Sequence, residues 1–341
     1  MVIQMKSSAY WKRRFEETAA AAYTKAEEYI AALNREYTKA NINIQNDLNA
    51  FYTKFATDNK MTFAEAKKVL SKNELQKFKY TLQEFKEKTI SKEFQQEIAN
   101  ASMKTQITRL ESLQMQIKGR ADVLKTGEMY KTEELLSKVY ENSYYRNVFN
   151  IQQGLGFGSD FALLNDKKIL KAVNEPWAES DFKSRTGADK AKLISGLRST
   201  MVQGFIRGDS LQTMSKNFVA VTGTSKNRAD KIIRSETAHV TEAATYESYR
   251  ETGVEKYDWL ATLDTKTCEN CAMLDGKTFE MSEYSEGETA PPLHANDRCT
   301  TVPNFGDNAG GTRVARNDDG STYKVPADME YNEWRAGAEK R

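Results

Sequence analysis

The sequence predicts a mainly α-helical protein with a small α+β domain, in which an elongated helical N-terminal region precedes a hairpin domain with a zinc knuckle. Three observations favour this class. Residues 1–150 contain two glycines and none of the five prolines, so little interrupts a helix there. Apolar residues in that stretch recur at helical spacing. Alternating apolar residues, typical of a strand, occur over residues 256–264.

A stripe of apolar residues marks the first helix. It consists of Phe15, Ala19, Ala22, Ala26, Ile30, Leu33 and Tyr37, at three- and four-residue steps. Such a stripe on a long polar helix is covered either by a neighbouring helix of the same chain or by a partner protein. The pattern leaves both open, and residues 1–150 are interpreted as an elongated helical arm or bundle.

Capping patterns predict where further helices of this arm begin. Thr62–Glu65 and Ser71–Glu74 both have the form S/T-x-x-E, which predicts new helices after a turn at 58–59. Amphipathic spacing then predicts one helix over about 91–118 and another over about 132–149.

Residues 151–194 are interpreted as a glycine-containing linker and connecting segment. Gly154, Gly156 and Gly158 lie close together, but no β-branched strand precedes them, as a phosphate-binding loop would require. The glycines therefore favour a flexible loop between domains over a nucleotide site.

The next segment, residues 195–305, is predicted to be an α+β domain. Helices are expected at about 190–207 and 210–221, followed by one that Ser225 caps and that stops at Gly253. Asp275–Gly276 is a tight-turn signal between the strand at 256–264 and a second strand at 277–281.

Residues 306–341 are interpreted as a loosely attached C-terminal tail, because glycine, asparagine and aspartate are frequent from residue 306 onward.

Charge and hydropathy limit the function classes. The net charge is +2, and residues 1–150 carry 25 basic against 19 acidic residues, an excess of 6 that is too small to indicate DNA binding by itself. No apolar run reaches the roughly 18 residues of a membrane span, and the first residues lack the apolar stretch of a signal peptide. The sequence therefore predicts no membrane partner. Because the three cysteines cluster with a histidine, they fit a reducing compartment, and the protein is predicted to be made and used in a cytoplasm.

Four of the five cysteine and histidine residues fall within 32 positions, at Cys268, Cys271, His294 and Cys299. Thiolate and imidazole are the ligands that Zn²⁺ prefers, and a C-x₂-C turn presents two sulfurs to one tetrahedral ion. Four protein ligands leave no open position for water, so the pattern predicts structural Zn²⁺ and no enzyme activity.

Two histidines, one of them assigned to metal, cannot build a nucleophilic triad. His239 and Glu242 share a helix face, which usually indicates a solvated pair, and Arg234 and Glu236 are expected to brace that helix against the strand.

The segment around these ligands also resembles a known family. It reads R-S-E-T-A from Arg234, W-L-A-T-L-D from Trp259, T-C-E-N-C-A-M-L-D-G over 267–276 and P-P-L-H-A-N-D-R-C-T-T over 291–301. Over about residues 195–305 this succession resembles the phage Mu F-like minor head proteins, also called phage head morphogenesis proteins. Many members have H-P-x-C-R-C where this chain has Asp297 in place of the first cysteine. The fourth ligand is therefore either Cys299 or Asp297, and the softer thiolate is favoured.

The resemblance implies a minor capsid protein of a tailed phage. It would join the head interior near the portal during assembly in the host cytoplasm, and assist DNA packaging or ejection. Portal protein is the implied partner, with major capsid protein, scaffolding protein and non-specifically bound phage DNA as further candidates. The alternatives are a zinc-dependent nuclease or peptidase that acts in the head, or a non-specific DNA-binding module.

Overall fold

A computed structural model describes residues 6–57, 60–89, 91–156, 158, 160–306, 312–317, 319, 321–326 and 328–338. The predicted class is confirmed at the level of a mainly helical protein with a small sheet region toward its C-terminal end. Its helices are α1 (Ser8–Phe55), α2 (Phe63–Ala66), α3 (Lys72–Lys88), α4 (Lys92–Met103), α5 (Arg109–Leu155), α6 (Asp166–Val173), α7 (Phe182–Arg207), α8 (Leu211–Thr252), α9 (Glu269–Leu274) and α10 (Tyr331–Ala338). Its strands are β1 (Lys256–Leu260), β2 (Thr278–Glu280), β3 (Thr300–Pro303), β4 (Thr312–Arg316) and β5 (Thr322–Pro326). None of the described helices is both long and apolar enough to cross a membrane.

The chain divides into two compact units. The helical unit comprises Ile30–Thr132 and Lys183–Asp230, and the sheet-containing unit comprises Met1–Tyr29, Glu133–Phe182 and Lys231–Arg341. This division differs from the predicted boundary at residue 150, because α1 and α5 each contribute residues to both units. Long helices without internal breakers can take part in two cores, and residue spacing alone does not reveal where one core ends.

The helical unit has an apolar core in which α1, α5, α7 and α8 all take part, with side chains such as Leu48, Ile117, Leu197 and Phe218. It also buries a polar network. The ammonium group of Lys125 donates to Glu128 and to Asp189 Oδ2 at 2.9 Å, and Ser225 Oγ donates to the same Asp189 oxygen at 2.6 Å. Paired partners are what allow charges to be buried at such depth.

The sheet-containing unit has a three-stranded antiparallel sheet in the order β2–β1–β3. Tyr257, Trp259, Ala261 and Leu263, the alternating residues that predicted a strand, are all buried. Trp11 and Phe15 of α1 lie in the same core as Tyr257 and Tyr249. The first turns of the chain therefore contribute to the core beneath the sheet, although residues 1–150 were expected to form a separate arm.

The α1 stripe from Phe15 to Tyr37 is buried within the chain, with every member at most 7% exposed. Of the two alternatives that the sequence left open, packing within the same chain therefore holds for this stripe. Thr62 and Ser71 begin α2 and α3 with the predicted capping boxes, which are confirmed. The predicted turn at 58–59 lies outside the described residues.

Two predicted helix boundaries are wrong in the arm. The helix expected over 91–118 is interrupted, because α5 begins with a Thr108–Glu111 capping box in which Glu111 Oε2 accepts from Thr108 N at 2.7 Å. From there α5 continues through the expected break near residue 130. Position 119 within this helix requires glycine, because a Cβ there would lie only 2.7 Å from the ring of Phe85.

Ser225 does not cap a helix. The two helices expected over 210–221 and 225–250 are one, α8, and Ser225 is fully buried in its interior. Its hydroxyl is satisfied by Asp189 of α7 rather than by a free helix end. Gly253, with φ of 69°, ends α8 as expected.

Composition suggested a loosely attached tail after residue 305, but the described residues there form two strands and a helix. Strands β4 and β5 pair as a hairpin, and α10 follows them. Tyr331 and Trp334 of α10 are buried in one cluster with Leu263, Ala272 and Ala315. Burial of these two aromatic rings attaches α10 to the unit, although the many turn-forming residues of this segment predicted a loose tail.

Candidate metal centre

The two cysteines of the C-x₂-C pattern lie at the start of α9. Cys268 is the residue before the helix, and its Sγ accepts a hydrogen bond from Cys271 N at 3.4 Å. A helix N-terminus favours negative charge, because its first N–H groups have no partner within the helix. The turn therefore brings the two sulfurs close together at the start of the helix.

The other two predicted ligands come from the loop before β3. His294 Nε2 lies 3.1 Å from Cys268 Sγ and 3.8 Å from Cys271 Sγ. Within the described part of the chain, two sets of ligand atoms lie within 4.8 Å of one another. They are Cys268–Cys271–His294 and Cys271–Asp297–Cys299. The structure thus brings all four predicted residues and Asp297 into one region, with Cys271 common to both sets.

The distances between ligand atoms can be compared with those around a tetrahedral zinc ion. Zn–S bonds of about 2.3 Å and Zn–N bonds of about 2.0 Å place neighbouring ligand atoms roughly 3.5–3.8 Å apart. The separation of His294 Nε2 from Cys271 Sγ falls at the upper end of this range, whereas its separation from Cys268 Sγ is shorter. The four predicted ligand atoms are not all within 4.8 Å of one another, because the two sets share Cys271 alone. A tetrahedral site of all four would require the two loops to move closer together.

Asp297 is buried, and both of its carboxylate oxygens already have backbone partners. Oδ1 accepts from Cys299 N at 2.9 Å and Oδ2 accepts from Leu293 N at 2.8 Å. Asp297 Oδ2 also lies 3.7 Å from Cys271 Sγ, which keeps it within reach of an ion. The two hydrogen bonds close the loop around the carboxylate, so Asp297 holds His294 and Cys299 on one turn.

A partly buried ion pair that was not predicted from the sequence joins the two ligand loops. Arg298 donates two hydrogen bonds to the Asp264 carboxylate, one of them from Nη2 to Oδ1 at 2.9 Å. Asp264 Oδ1 also accepts from Lys266 N, and Thr262 Oγ1 donates to Arg298 O at 2.7 Å. Asp264 lies four positions before Cys268, and Arg298 lies one position before Cys299. Their closeness to the predicted ligands was the sequence feature that could have indicated this pair.

The electrostatics of the site differ between its exposed and buried halves. Burial opposes ionisation of the Cys268 thiol, but the Cys271 N–H and His294 offset it and lower its pKa below the usual value. The hydrogen bond with Cys271, followed by burial, raises the pKa of the Cys299 thiol well above its usual value. The Ala295 carbonyl and the Cys268 sulfur raise the pKa of His294, although burial opposes them.

The second ligand loop is fixed to helices of the same unit. Tyr23 of α1 donates from its hydroxyl to Asp297 O at 3.2 Å, and Asn296 N donates to Ser235 Oγ of α8 at 3.0 Å. Asn296 has φ of 64°, a left-handed conformation that asparagine tolerates better than most residues. The helices therefore hold the loop in its turn from both sides.

The His239–Glu242 pair is not solvated, which corrects the sequence interpretation. His239 Nδ1 lies 2.6 Å from Glu286 Oε1, and its ring stacks on Trp177 with centroids 5.4 Å apart. Glu242 is buried and accepts from Thr301 Oγ1 at 2.5 Å. Burial raises the pKa of Glu242 to about 7, although the Thr301 hydrogen bonds oppose the shift.

Arg234 and Glu236, which were expected to brace α8 against the strand, both contact segments other than the strand. Arg234 pairs with Glu27 of α1, and Glu236 accepts from the Trp177 indole at 2.9 Å. Both residues therefore fix α8 to other segments of the same unit.

The segment that holds the predicted ligands is similar to a known protein family. The family described as phage Mu protein F like protein matches residues 195–302, which include all four predicted ligands. The chain is 25% identical over 225 residues to the minor head protein GP7 of Bacillus phage SPP1, a match that covers 60% of this chain and 72% of that protein. No solved structure is significantly similar to it.

Two other relatives share shorter parts of their length. A protein of Enterococcus faecalis named NAD(+)–arginine ADP-ribosyltransferase EFV is 26% identical over 214 residues, which are 59% of this chain and 43% of that protein. An uncharacterized protein of Haemophilus influenzae is 25% identical over 154 residues, which are 45% of this chain and 34% of that protein. The chain thus spans less than half the length of these two. Residues 195–302 are therefore similar to the phage Mu protein F-like family.

Proposed function

We propose that the protein is a minor capsid protein of a tailed phage that takes part in head morphogenesis. The observation that carries the proposal is the family match over residues 195–302, together with a minor head protein that aligns with 60% of this chain. The finer role follows from the family resemblance: the protein would join the head interior near the portal vertex while the head assembles in the host cytoplasm. There it would assist DNA packaging or ejection.

The proposal includes one structural Zn²⁺ ion held by Cys268, Cys271, His294 and Cys299. What supports it is that the two sets of three ligand atoms share Cys271 and draw on two separate loops. Bound zinc would link the start of α9 to the loop before β3, across a sheet of three short strands. Small sheets bury little apolar area, so a metal that binds only the folded state adds directly to their stability.

The proposed partner is the portal protein, contacted through the helical unit. The α1 stripe is buried within the chain, so docking must use other apolar side chains. Tyr80 of α3 is 74% exposed and Met103 of α4 is 72% exposed, and both belong to the helical unit. Large exposed apolar residues of this kind are typical of surfaces that bind other proteins. Major capsid protein, scaffolding protein and phage DNA remain further candidates.

A matched pair of substitutions tests this role. Leu163, in the sheet-containing unit, is as exposed as Tyr80, at 74%. We would express Tyr80→Glu and Leu163→Glu in full-length chains with the phage head proteins, purify procapsids that contain portal, and measure the copies of each variant. The expected result is strong loss of incorporation for Tyr80→Glu and normal incorporation for Leu163→Glu.

Three other results would contradict parts of this proposal. Loss for Leu163→Glu alone would place the docking surface in the sheet-containing unit. If the unaltered protein is absent from procapsids and virions, the capsid role itself is wrong. Incorporation that does not change when portal is omitted would retain the capsid role and reject portal as the partner.

A further inference from the structure

Strand β4 is attached to the end of α9 by a buried ion pair. Arg313 of β4 and Asp275, which follows α9, are both at most 1% exposed at their side chains. Arg313 Nη1 donates to Asp275 Oδ2 at 2.9 Å, and Nη2 donates to Oδ1 at 3.2 Å and to Ala261 O at 2.7 Å. A bidentate pair with a further carbonyl contact fixes the hairpin in one position.

Helix α10 continues this attachment up to the C-x₂-C loop. Tyr331 N donates to Asp275 Oδ2 at 2.7 Å, which fixes the start of the helix. The Tyr331 hydroxyl lies 3.1 Å from Asp264 O and 3.3 Å from Thr267 O, within hydrogen-bond distance of both carbonyls. Thr267 directly precedes Cys268, so this hydroxyl closes the turn from which the first ligand emerges.

Apolar packing holds the tyrosine in place. Its ring lies 5.5 Å from that of Trp334, and both are buried with Leu263 and Ala272. Ala272 is in α9, the helix that begins with the two ligand cysteines. The C-terminal segment thus contacts the ligand loop at the turn before Cys268 and at the helix after it.

We propose that Tyr331 is a positioning residue for the metal centre, and that β4 and α10 hold the C-x₂-C loop in its metal-binding conformation. The inference rests on the proposed zinc site and extends the functional part of the domain beyond residue 302, where the family match ends. A loop that is already ordered loses less conformational entropy when it binds the ion, so affinity rises. Without the hydroxyl the ring still packs, but the loop carbonyls lose their buried donor.

The test compares Tyr331→Phe with Tyr144→Phe in the full-length protein. Tyr144 is the matched control, because its buried ring also carries a hydroxyl that donates to a backbone carbonyl, Ala162 O at 2.7 Å, in a different part of the unit. Zinc affinity would be measured by competition with a chromogenic chelator. Loss of one buried hydrogen bond corresponds to an affinity about three- to tenfold weaker for Tyr331→Phe. Tyr144→Phe should match the unaltered protein.

A second readout follows the loop directly. Without metal, Cys268 in Tyr331→Phe should react with a thiol reagent several-fold faster than in Tyr144→Phe, because its turn opens more often. Trp334→Leu, which loosens α10 without touching the loop carbonyls, should shift both measurements in the same direction. Equal zinc affinity and equal thiol reactivity in Tyr331→Phe and Tyr144→Phe would overturn the positioning role while leaving the zinc site intact. If the unaltered protein binds no zinc, the site and this inference both fail.

Discussion

Arg298 and Asp264 form a two-point ion pair that joins the loop before Cys268 to the loop that ends at Cys299. The Asp264 side chain is 8% exposed and that of Arg298 is 33% exposed. Burial opposes ionisation of Asp264, but the Arg298 guanidinium offsets it and holds the pKa of this carboxyl below its usual value. The pair therefore links the two loops that carry the predicted ligands.

Breaking this pair should weaken metal binding and local stability together. Asp264→Asn keeps the shape of the side chain but removes the charge that Arg298 contacts. The unfolding free energy should fall by about 1–3 kcal/mol, toward the lower end because solvent reaches part of Arg298. Chemical denaturation and zinc competition would measure both effects. Arg207→Gln, which breaks an exposed pair with Asp209 in the helical unit, is the control and should change neither. Unchanged zinc affinity in Asp264→Asn would show that the loops keep their spacing without the pair.

The fourth ligand can be assigned by two substitutions. Cys299→Ala should weaken zinc affinity by more than the roughly 10- to 100-fold that loss of an outer-shell partner causes. Asp297→Ala should keep one zinc per chain at saturating metal, yet lower stability, because two buried N–H groups lose their acceptor at about 1–3 kcal/mol each. Zinc titration and thermal unfolding would separate the two effects. The reverse pattern would make Asp297 the ligand.

The buried carboxyl of Glu242 should make stability depend on pH. Its pKa in the folded protein is raised to about 7 from an ordinary value of 4.5, so the folded state holds the proton more tightly. That contribution is fully present below pH 4.5 and is lost as pH rises through about 7, with an upper limit of about 3 kcal/mol. Glu242→Gln should therefore flatten the fall in unfolding free energy across this window, whereas Glu141→Gln, at an exposed position, should not. Identical pH profiles for Glu242→Gln and the unaltered protein would contradict the buried neutral carboxyl.

Local patterns predicted the features whose partners lie close in sequence. The capping boxes at Thr62 and Ser71 join residues three positions apart, and the two sulfurs of the C-x₂-C turn are fixed by one helix start. The same capping pattern at Thr108 was present and would have located the start of α5. Strand β1 was recognised because burial on one face imposes alternation on its own residues.

Features that depend on distant partners could not be predicted in this way. Ser225 has the composition of a helix cap, but its hydroxyl is taken by Asp189, 36 positions away. Tyr331 reaches Asp264 across 67 positions, and nothing in a tail rich in glycine and asparagine indicates that contact. His239 and Glu242 are buried by Trp177, Glu286 and Thr301, from segments on both sides of α8. Such burial is a property of tertiary packing, which residue spacing within one helix does not encode.

The proposal that Cys268, Cys271, His294 and Cys299 hold one structural zinc ion can be tested by counting bound metal. Native mass spectrometry of the full-length protein, purified without chelator, measures this most directly, alongside Cys271→Ser. Cys271 is the ligand common to both sets of three, so its loss should abolish tight binding and not merely weaken it. We expect about one zinc per chain in the unaltered protein and none in Cys271→Ser, with nearly equal helix content by circular dichroism in both. No bound metal in the unaltered protein, or full zinc retention in Cys271→Ser, would contradict it.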